Sequence, residues 1–510
     1  MEDVLMIPGL IRCLRTVFLF NFFSASIFFN VAIAESIIDP PKNPFLAGSP
    51  WPMSHRNPYN QGSSYLKGIE LDDIASLQKE LSETIPVPII LAYSPIYEVN
   101  GKRVVWGSTL GSVFKMDMSG NQINRIDTKL KDEMTGGLSG AYVLVDKDYK
   151  FYVPDGSSLL VYEDAIKGDP GSGINLYKKF DIPEELLTAE SEVIVGMNMT
   201  YDGYICLATS KGLVLVINRS LDKFYHTKVD EGEEVSNSIS IDEEGGIYVV
   251  SSKKMYRFQW SGDRVSADEG KGAWKAAYEA GGETPWPGRL GIGSGSTPTL
   301  MNAGNDKLVV FTDGQELMNL VVMWRDQIPM DWKPISEEKD RRIAAEIPIT
   351  FGNPNATRSI SEQSVLVRGD RAVVVNNDYG WDFSRLPGVP QRLTVLFSNF
   401  PENAPYGIEQ FHWNSYSRSL SSLWANKEIS CPNGVPTMSE SSNLVYCWGQ
   451  RQGMWTLEAV NWDTGDSVFH IPLGYREKYN SVYSAAQIGG KGEIVSGTFG
   501  GVVRLQTSKY

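Results

Sequence analysis

The residues that could do chemistry in this chain are few and widely spaced. There are four histidines, His55, His226, His412 and His470. A four-histidine metal centre would need all of them to converge. His55 lies before the first repeat, while His226 and His470 sit in alternating segments that read as outer strands, so surface or interstrand positions are expected. No Gly-x-Ser-x-Gly elbow, no Gly-x-x-x-x-Gly-Lys-Ser/Thr loop and no Cys-x-x-Cys-His site occurs, which leaves serine-triad, phosphate-loop and haem chemistry without a motif. What remains is a set of polar side chains at repeat junctions. Arg289, Arg358 and Glu362 form a candidate catalytic set, because an arginine beside a carboxylate can clamp an anionic ligand group and supply a base. Asp313, Asn377, Asp378, Glu440 and Asn480 are hard oxygen donors of the kind that Ca²⁺ gathers six to eight at a time. The competing role for each is local, since Asn and Asp side chains commonly hydrogen-bond the backbone of their own turn.

These residues are positioned by a recurring β unit. An apolar strand meets a polar turn, a second strand, a Gly-centred turn and a third strand. The plan is clear at 103–117, 141–164, 199–218 and 238–260, and more divergent at 297–324, 363–398, 435–466 and 484–506. The strands are rich in Val, Ile, Tyr and Phe, and Asp-Gly, Lys-Gly and Gly-Gly pairs supply the hairpin turns. One such unit cannot bury both of its faces, whereas radial stacking buries each between two neighbours. With about 40–50 residues needed per four-stranded blade, an all-β propeller of eight blades is expected, with seven as the second choice. Residues 72–83 (DDIASLQKELSE) show helical periodicity, so the chain divides into an N-terminal arm with a short helix at 35–90 and a propeller at 91–510. The insertions at 266–296 and 381–391 could form a lid.

Four segments carry a resemblance. Val105-Trp106-Gly107-Ser108-Thr109 with Gly111-Ser112-Val113-Phe114-Lys115-Met116-Asp117, and Ser496-Gly497-Thr498-Phe499-Gly500-Gly501-Val502-Val503, look like blades of the quinoprotein alcohol-dehydrogenase-like propeller superfamily. The stretch from Trp51 to Ser64 is similar to the Trp-led strand that precedes the first blade in such proteins, and Asn461–Asp466 to its Asp-x-x-Gly turn. A narrower likeness to large secreted bacterial proteins supplies no activity. The resemblance implies a propeller over most of 50–510. The quinone-dependent enzymes of the superfamily carry adjacent cysteines over their cofactor, and this chain has no Cys-Cys pair, so pyrroloquinoline quinone is not expected.

The remaining features bound partners and compartment. A net charge of −14 argues against nucleic acid. Arg12 and Arg15, the apolar run 17–31 and Ala32-Ile33-Ala34 read as a signal peptide over 1–34 cleaved before Glu35, so a secreted or periplasmic protein without stable membrane insertion is expected. Cys431 and Cys447 could pair in an oxidising compartment, and Cys206, inside a strand pattern, reads as a buried thiol. The functional expectation is an exported propeller that binds or transforms a small molecule at its axial channel, with Ca²⁺-assisted hydrolysis as one form of it. The alternatives are a protein-interaction scaffold, which would show a channel mouth without convergent polar groups, and a carbohydrate-binding propeller, which would need Trp286, Trp381 and Trp413 to line a groove.

Overall fold

A computed structural model describes residues 39–82, 92–99, 101–109, 111–117, 121–127, 142–286, 289, 291–380, 399–481 and 483–509. The chain divides into a unit at 1–41 and one at 42–510. Only 39–41 of the first unit are described, so the expected signal peptide lies outside the described residues, as does the insertion at 381–391. Among the described residues no helix is long and apolar enough to cross a membrane.

Residues 42–510 contain eight antiparallel sheets, arranged as the blades of a β-propeller. Blades 1 to 7 occupy 92–127, 144–181, 194–228, 240–277, 299–348, 366–430 and 437–474 in chain order. Their first strands lie against one another around the centre, for example Thr299–Ala303 against Leu366–Arg368, and that strand against Thr437–Ser439. The sequence explains each blade. In blade 3, Ile205–Thr209 and Leu213–Ile217 are buried on both faces and the outer strand Phe224–Lys228 is half polar, as stacking between neighbouring blades requires. The turn aspartates recur with a defined job. Asp146 and Asp242 each accept amide bonds from their own hairpin and a hydroxyl bond from the tyrosine six residues on, Tyr152 at 3.1 Å and Tyr248 at 2.7 Å.

Blade 8 closes the ring. Gln487–Gly490, Glu493–Thr498 and Gly501–Thr507 supply three strands, and Leu77–Ser82 supplies the fourth, paired antiparallel from Leu77 with Thr507 to Ser82 with Val502. The α-helix expected over 72–83 is therefore not formed. Leu71–Ser76 makes a 3-10 turn and Leu77–Ser82 is a strand, because an open edge at Gly501–Thr507 gives this segment a ladder of backbone hydrogen bonds that outweighs its helical propensity.

The arm before it does more than lead into the ring. Val145 donates its amide to the Pro52 carbonyl, Ile241 to Pro58, Leu300 to Tyr59, Val367 to Gln61 and Met438 to Gly62. Ser63–Ser64 then pairs in parallel with Met438–Ser439. The donors belong to the first strands of blades 2, 4, 5, 6 and 7, so the arm lies across the centre of the ring, where those strands converge. Left-handed backbone at Arg56, Asn60 and Gly62 turns the chain from blade to blade. Trp51, Tyr59 and Ser63 have no exposed surface.

Candidate functional site

The direction of the strands decides which junction residues meet. Residues just before a blade's first strand, and those just after its second, antiparallel strand, come out at one end of the ring. Arg289 and Glu362 precede first strands, as do Asn433 and Asn480, while Asp313, Asn377 and Asp378 follow second strands. Glu440 follows the first strand Thr437–Ser439 and emerges at the opposite end.

At the shared end, the mouth, a continuous buried network forms. Arg289, only 1% exposed, donates Nε to Glu362 at 2.5 Å and Nη2 to the Gly293 carbonyl at 2.7 Å. The Glu362 amide donates to Asn377 Oδ1 at 2.7 Å, and Asn377 Nδ2 donates to the Pro432 carbonyl at 2.7 Å. The Tyr379 hydroxyl donates to the same carbonyl and to Asn433 Oδ1, and Asn433 Nδ2 donates to Asn480 Oδ1. Gln363 Nε2 donates to the Asn433 carbonyl at 3.0 Å. Among the described residues, four buried polar atoms beside this network have no hydrogen-bond partner: Arg289 Nη1 and the hydroxyls of Ser361, Ser481 and Ser484. Between mouth and arm lies His55, 5% exposed, with Nε2 at 3.2 Å from Ser364 Oγ and its ring 5.6 Å from that of Tyr142. Burial lowers the His55 pKa to about 4. The expected surface or interstrand position of this histidine is thus corrected: the arm carries it into the centre. His226 and His470 are exposed on outer strands, as expected.

The structure brings Arg289, Glu362, Asn377 and Asn480 into one network. Asp313 touches it through its backbone carbonyl, which accepts from Arg289 Nη2 at 3.4 Å, and the remaining side chains have separate partners. Asp313 accepts from the side chain and amide of Asn319 at 2.7 and 2.9 Å and from the Gln315 amide, a turn role, and burial raises its pKa to about 6. Arg358 pairs with Asp378 at 2.8 Å. Glu440 pairs with Arg368. Among the described residues, no three His, Cys, Asp or Glu side chains gather closely enough to hold a metal ion, and the Glu362 carboxylate is paired with the guanidinium of Arg289. This donor set does not suit Ca²⁺, which seeks several ionised carboxylates facing one point. Tyr379, Asn433 and the three serines carry no motif of their own and could not be read from the sequence.

Cys431 and Cys447 form a disulfide with Cα atoms 5.8 Å apart, and Cys206 is a buried free thiol. Trp413 is fully buried, its ring 5.7 Å from that of Trp324 and its N–H bonded to Asp306. It packs between blades and lines no sugar platform. Trp381 lies outside the described residues.

A concavity of about 770 Å³ lies between blades 4 and 5. The insertion expected at 266–296 builds one wall. Val265–Ser266 and Trp274–Ala277 pair with different halves of Lys254–Trp260, so the outer edge of blade 4 is split where the cleft opens.

No family model matches the chain. Among solved structures, a catalytically inactive virginiamycin B lyase from Staphylococcus aureus with quinupristin gives a TM-score of 0.40 at 10% identity, covering 84% of this chain and 98% of that one. BamB from Moraxella catarrhalis gives 0.37 at 7% identity, covering 72% and 95%. Likeness at this level carries no information on chemistry. A protein of Archaeoglobus fulgidus described as an uncharacterized protein is 42% identical over 511 aligned residues, spanning 96% of this chain and 95% of its relative. At that identity over nearly the whole of both chains, this protein belongs to the family of the Archaeoglobus fulgidus protein.

Proposed function

We propose that this protein is a ligand-binding propeller that takes a small neutral or anionic polar molecule at the mouth of its axis. The carrying observation is the mouth itself. Seven side chains from several blade junctions are tied into one buried network, yet among the described residues Arg289 Nη1 and three serine hydroxyls beside it remain without partners. Buried donors left unmade cost roughly 1–3 kcal/mol each, so a molecule that satisfies several of them gains both affinity and specificity. The arm is bonded to the first strands of five blades, which supports capture at the centre rather than passage through it. A scaffold would not need such convergence, and this weighs against the protein-interaction alternative. Export to an oxidising compartment fits the buried Cys431–Cys447 disulfide.

The test is a thermal-unfolding screen of the full chain against polyols, amino acids, small carboxylates, CaCl₂ and EDTA. A compound that raises the melting temperature of the wild type but not of Glu362→Gln supports the reading. A response to CaCl₂ and EDTA alone would replace it with a cation site. No compound acting through Glu362 would overturn it.

A further inference from the structure

The cleft between blades 4 and 5 is separate from the mouth and is built around one arginine. Arg342 lines it and stacks on Trp274, its guanidinium 4.3 Å from the ring centroid. The indole is itself fixed, donating its N–H to the Arg325 carbonyl at 2.8 Å. Arg342 spends only Nη1 on the protein, donating to the carbonyls of Trp324 and Asp326 at 2.8 and 2.9 Å. Among the described residues, Nε and Nη2, the edge that presents two parallel N–H groups, have no hydrogen-bond partner. Among the described residues no carboxylate is paired with the guanidinium, and burial, partly offset by Asp340, lowers its pKa to about 10.

The other cations of the cleft are engaged. Lys307 pairs with Glu244 and Asp326, both at 3.1 Å. Arg257 donates to Tyr248, Gln259 and the Gly272 carbonyl. Two more lining residues carry buried atoms without a hydrogen-bond partner: the indole N–H of Trp324 and Oδ1 of Asp326. Asp326 Oδ1 lies 3.7 Å from Arg325 Nε but accepts nothing. The cleft thus presents a two-pronged donor held flat on an aromatic ring, with the partly exposed Asp326 carboxylate, paired with Lys307, beside it.

We propose that this cleft binds a carboxylic acid bearing hydroxyl or ammonium groups, of the size of a hexuronic acid or a dipeptide, with its carboxylate on the Nε–Nη2 edge of Arg342 and a hydroxyl or ammonium donating to Asp326. A side-on carboxylate completes the fork of Arg342 with two charge-assisted hydrogen bonds. The cation–π contact holds the guanidinium plane before the ligand arrives, so little ordering is lost on binding. The volume lies within the range of small-ligand sites, and the polar lining favours a hydroxylated or zwitterionic molecule over an apolar acid.

Isothermal titration calorimetry of the full chain with D-glucuronate, alanyl-alanine, D-glucose and inorganic phosphate tests this. Saturable 1:1 binding of glucuronate or the dipeptide is expected, with glucose and phosphate at least ~10-fold weaker; which of the two acids binds tells sugar acid from peptide. Arg342→Lys keeps the charge but loses the fork and should weaken binding at least ~10-fold, with the melting temperature showing that the variant is folded. Glu362→Gln, at the mouth, should bind as the wild type does, so failure here is distinguishable from failure of the mouth. No saturable binding of either acid, equal binding of glucose and glucuronate, or unchanged affinity in Arg342→Lys would overturn the assignment.

Discussion

The carbonyl of Gly62 accepts the amide of Met438 at 3.1 Å. That bond joins the arm to the first strand of blade 7, and it depends on a left-handed backbone at Gly62, φ +66°. A Cβ there would lie 3.3 Å from the Pro436 carbonyl oxygen and 3.4 Å from Leu366 Cδ1. Gly62→Val therefore meets backbone strain of about 1–2 kcal/mol together with close packing on both sides. We expect a clear fall in melting temperature, while Gly48→Ala, where an added Cβ meets nothing within 4 Å, stays close to wild type. Equal melting of the two variants would show that the arm is not fastened at the centre.

The Arg289–Glu362 pair should behave as a buried charge pair. Side-chain exposures are 1% and 5%. Glu362→Ala leaves the guanidinium without its counter-charge and should cost about 3–5 kcal/mol in denaturant unfolding. Arg289→Met with Glu362→Leu removes both charges and should cost less than the two single changes added together. A double-mutant cycle measures that coupling, and additive costs would show that the contact contributes nothing.

The disulfide closes a short loop, sixteen residues apart in sequence, between the segment leading into blade 7 and its second strand Leu444–Arg451. Restricting a loop of that length in the unfolded chain is worth about 3 kcal/mol. Reductant, or Cys431→Ala with Cys447→Ala, should lower the denaturant midpoint accordingly. Alkylation in denaturant without reductant, followed by peptide mapping, should label Cys206 and spare Cys431 and Cys447.

The blades were legible because their local signals agree with the fold. In 199–218 the apolar runs and the Gly212 turn mark the two central strands of blade 3, and the same grammar repeats around the ring. Leu77–Ser82 was not legible, since its periodicity favours a helix and only the open edge more than 400 residues later makes it a strand. The site was half legible. Glu362 and Glu440 look alike as polar residues beside a first strand, yet one precedes its strand and the other follows it, which sends them to opposite ends. His55 reads as part of a tail because its burial comes from Ser364, 309 residues away. Arg342 carries no motif; its interest lies in the bonds it leaves unmade beside Trp274.

His55 and Asp313 should give the fold opposite responses to pH. Burial lowers the His55 pKa from 6.5 to about 4, so the folded chain holds it neutral where the unfolded chain would protonate it. Its contribution is fully present above about pH 6.5 and is lost as pH falls toward 4, a change of roughly 3 kcal/mol. Asp313 runs the other way, because burial raises its pKa from 3.8 to about 6. Its proton stabilises the folded state most below about pH 3.8, and that contribution is lost as pH rises through 6, again roughly 3 kcal/mol. Between pH 4 and 6 the two oppose each other. Taken as differences from wild type, His55→Gln should gain stability on acidification from pH 7 to 4, and Asp313→Asn should lose it. Denaturant midpoints at half-unit pH steps measure both curves. A His55→Gln difference that is flat across this window would mean that the histidine titrates normally and is not enclosed between the arm and the mouth.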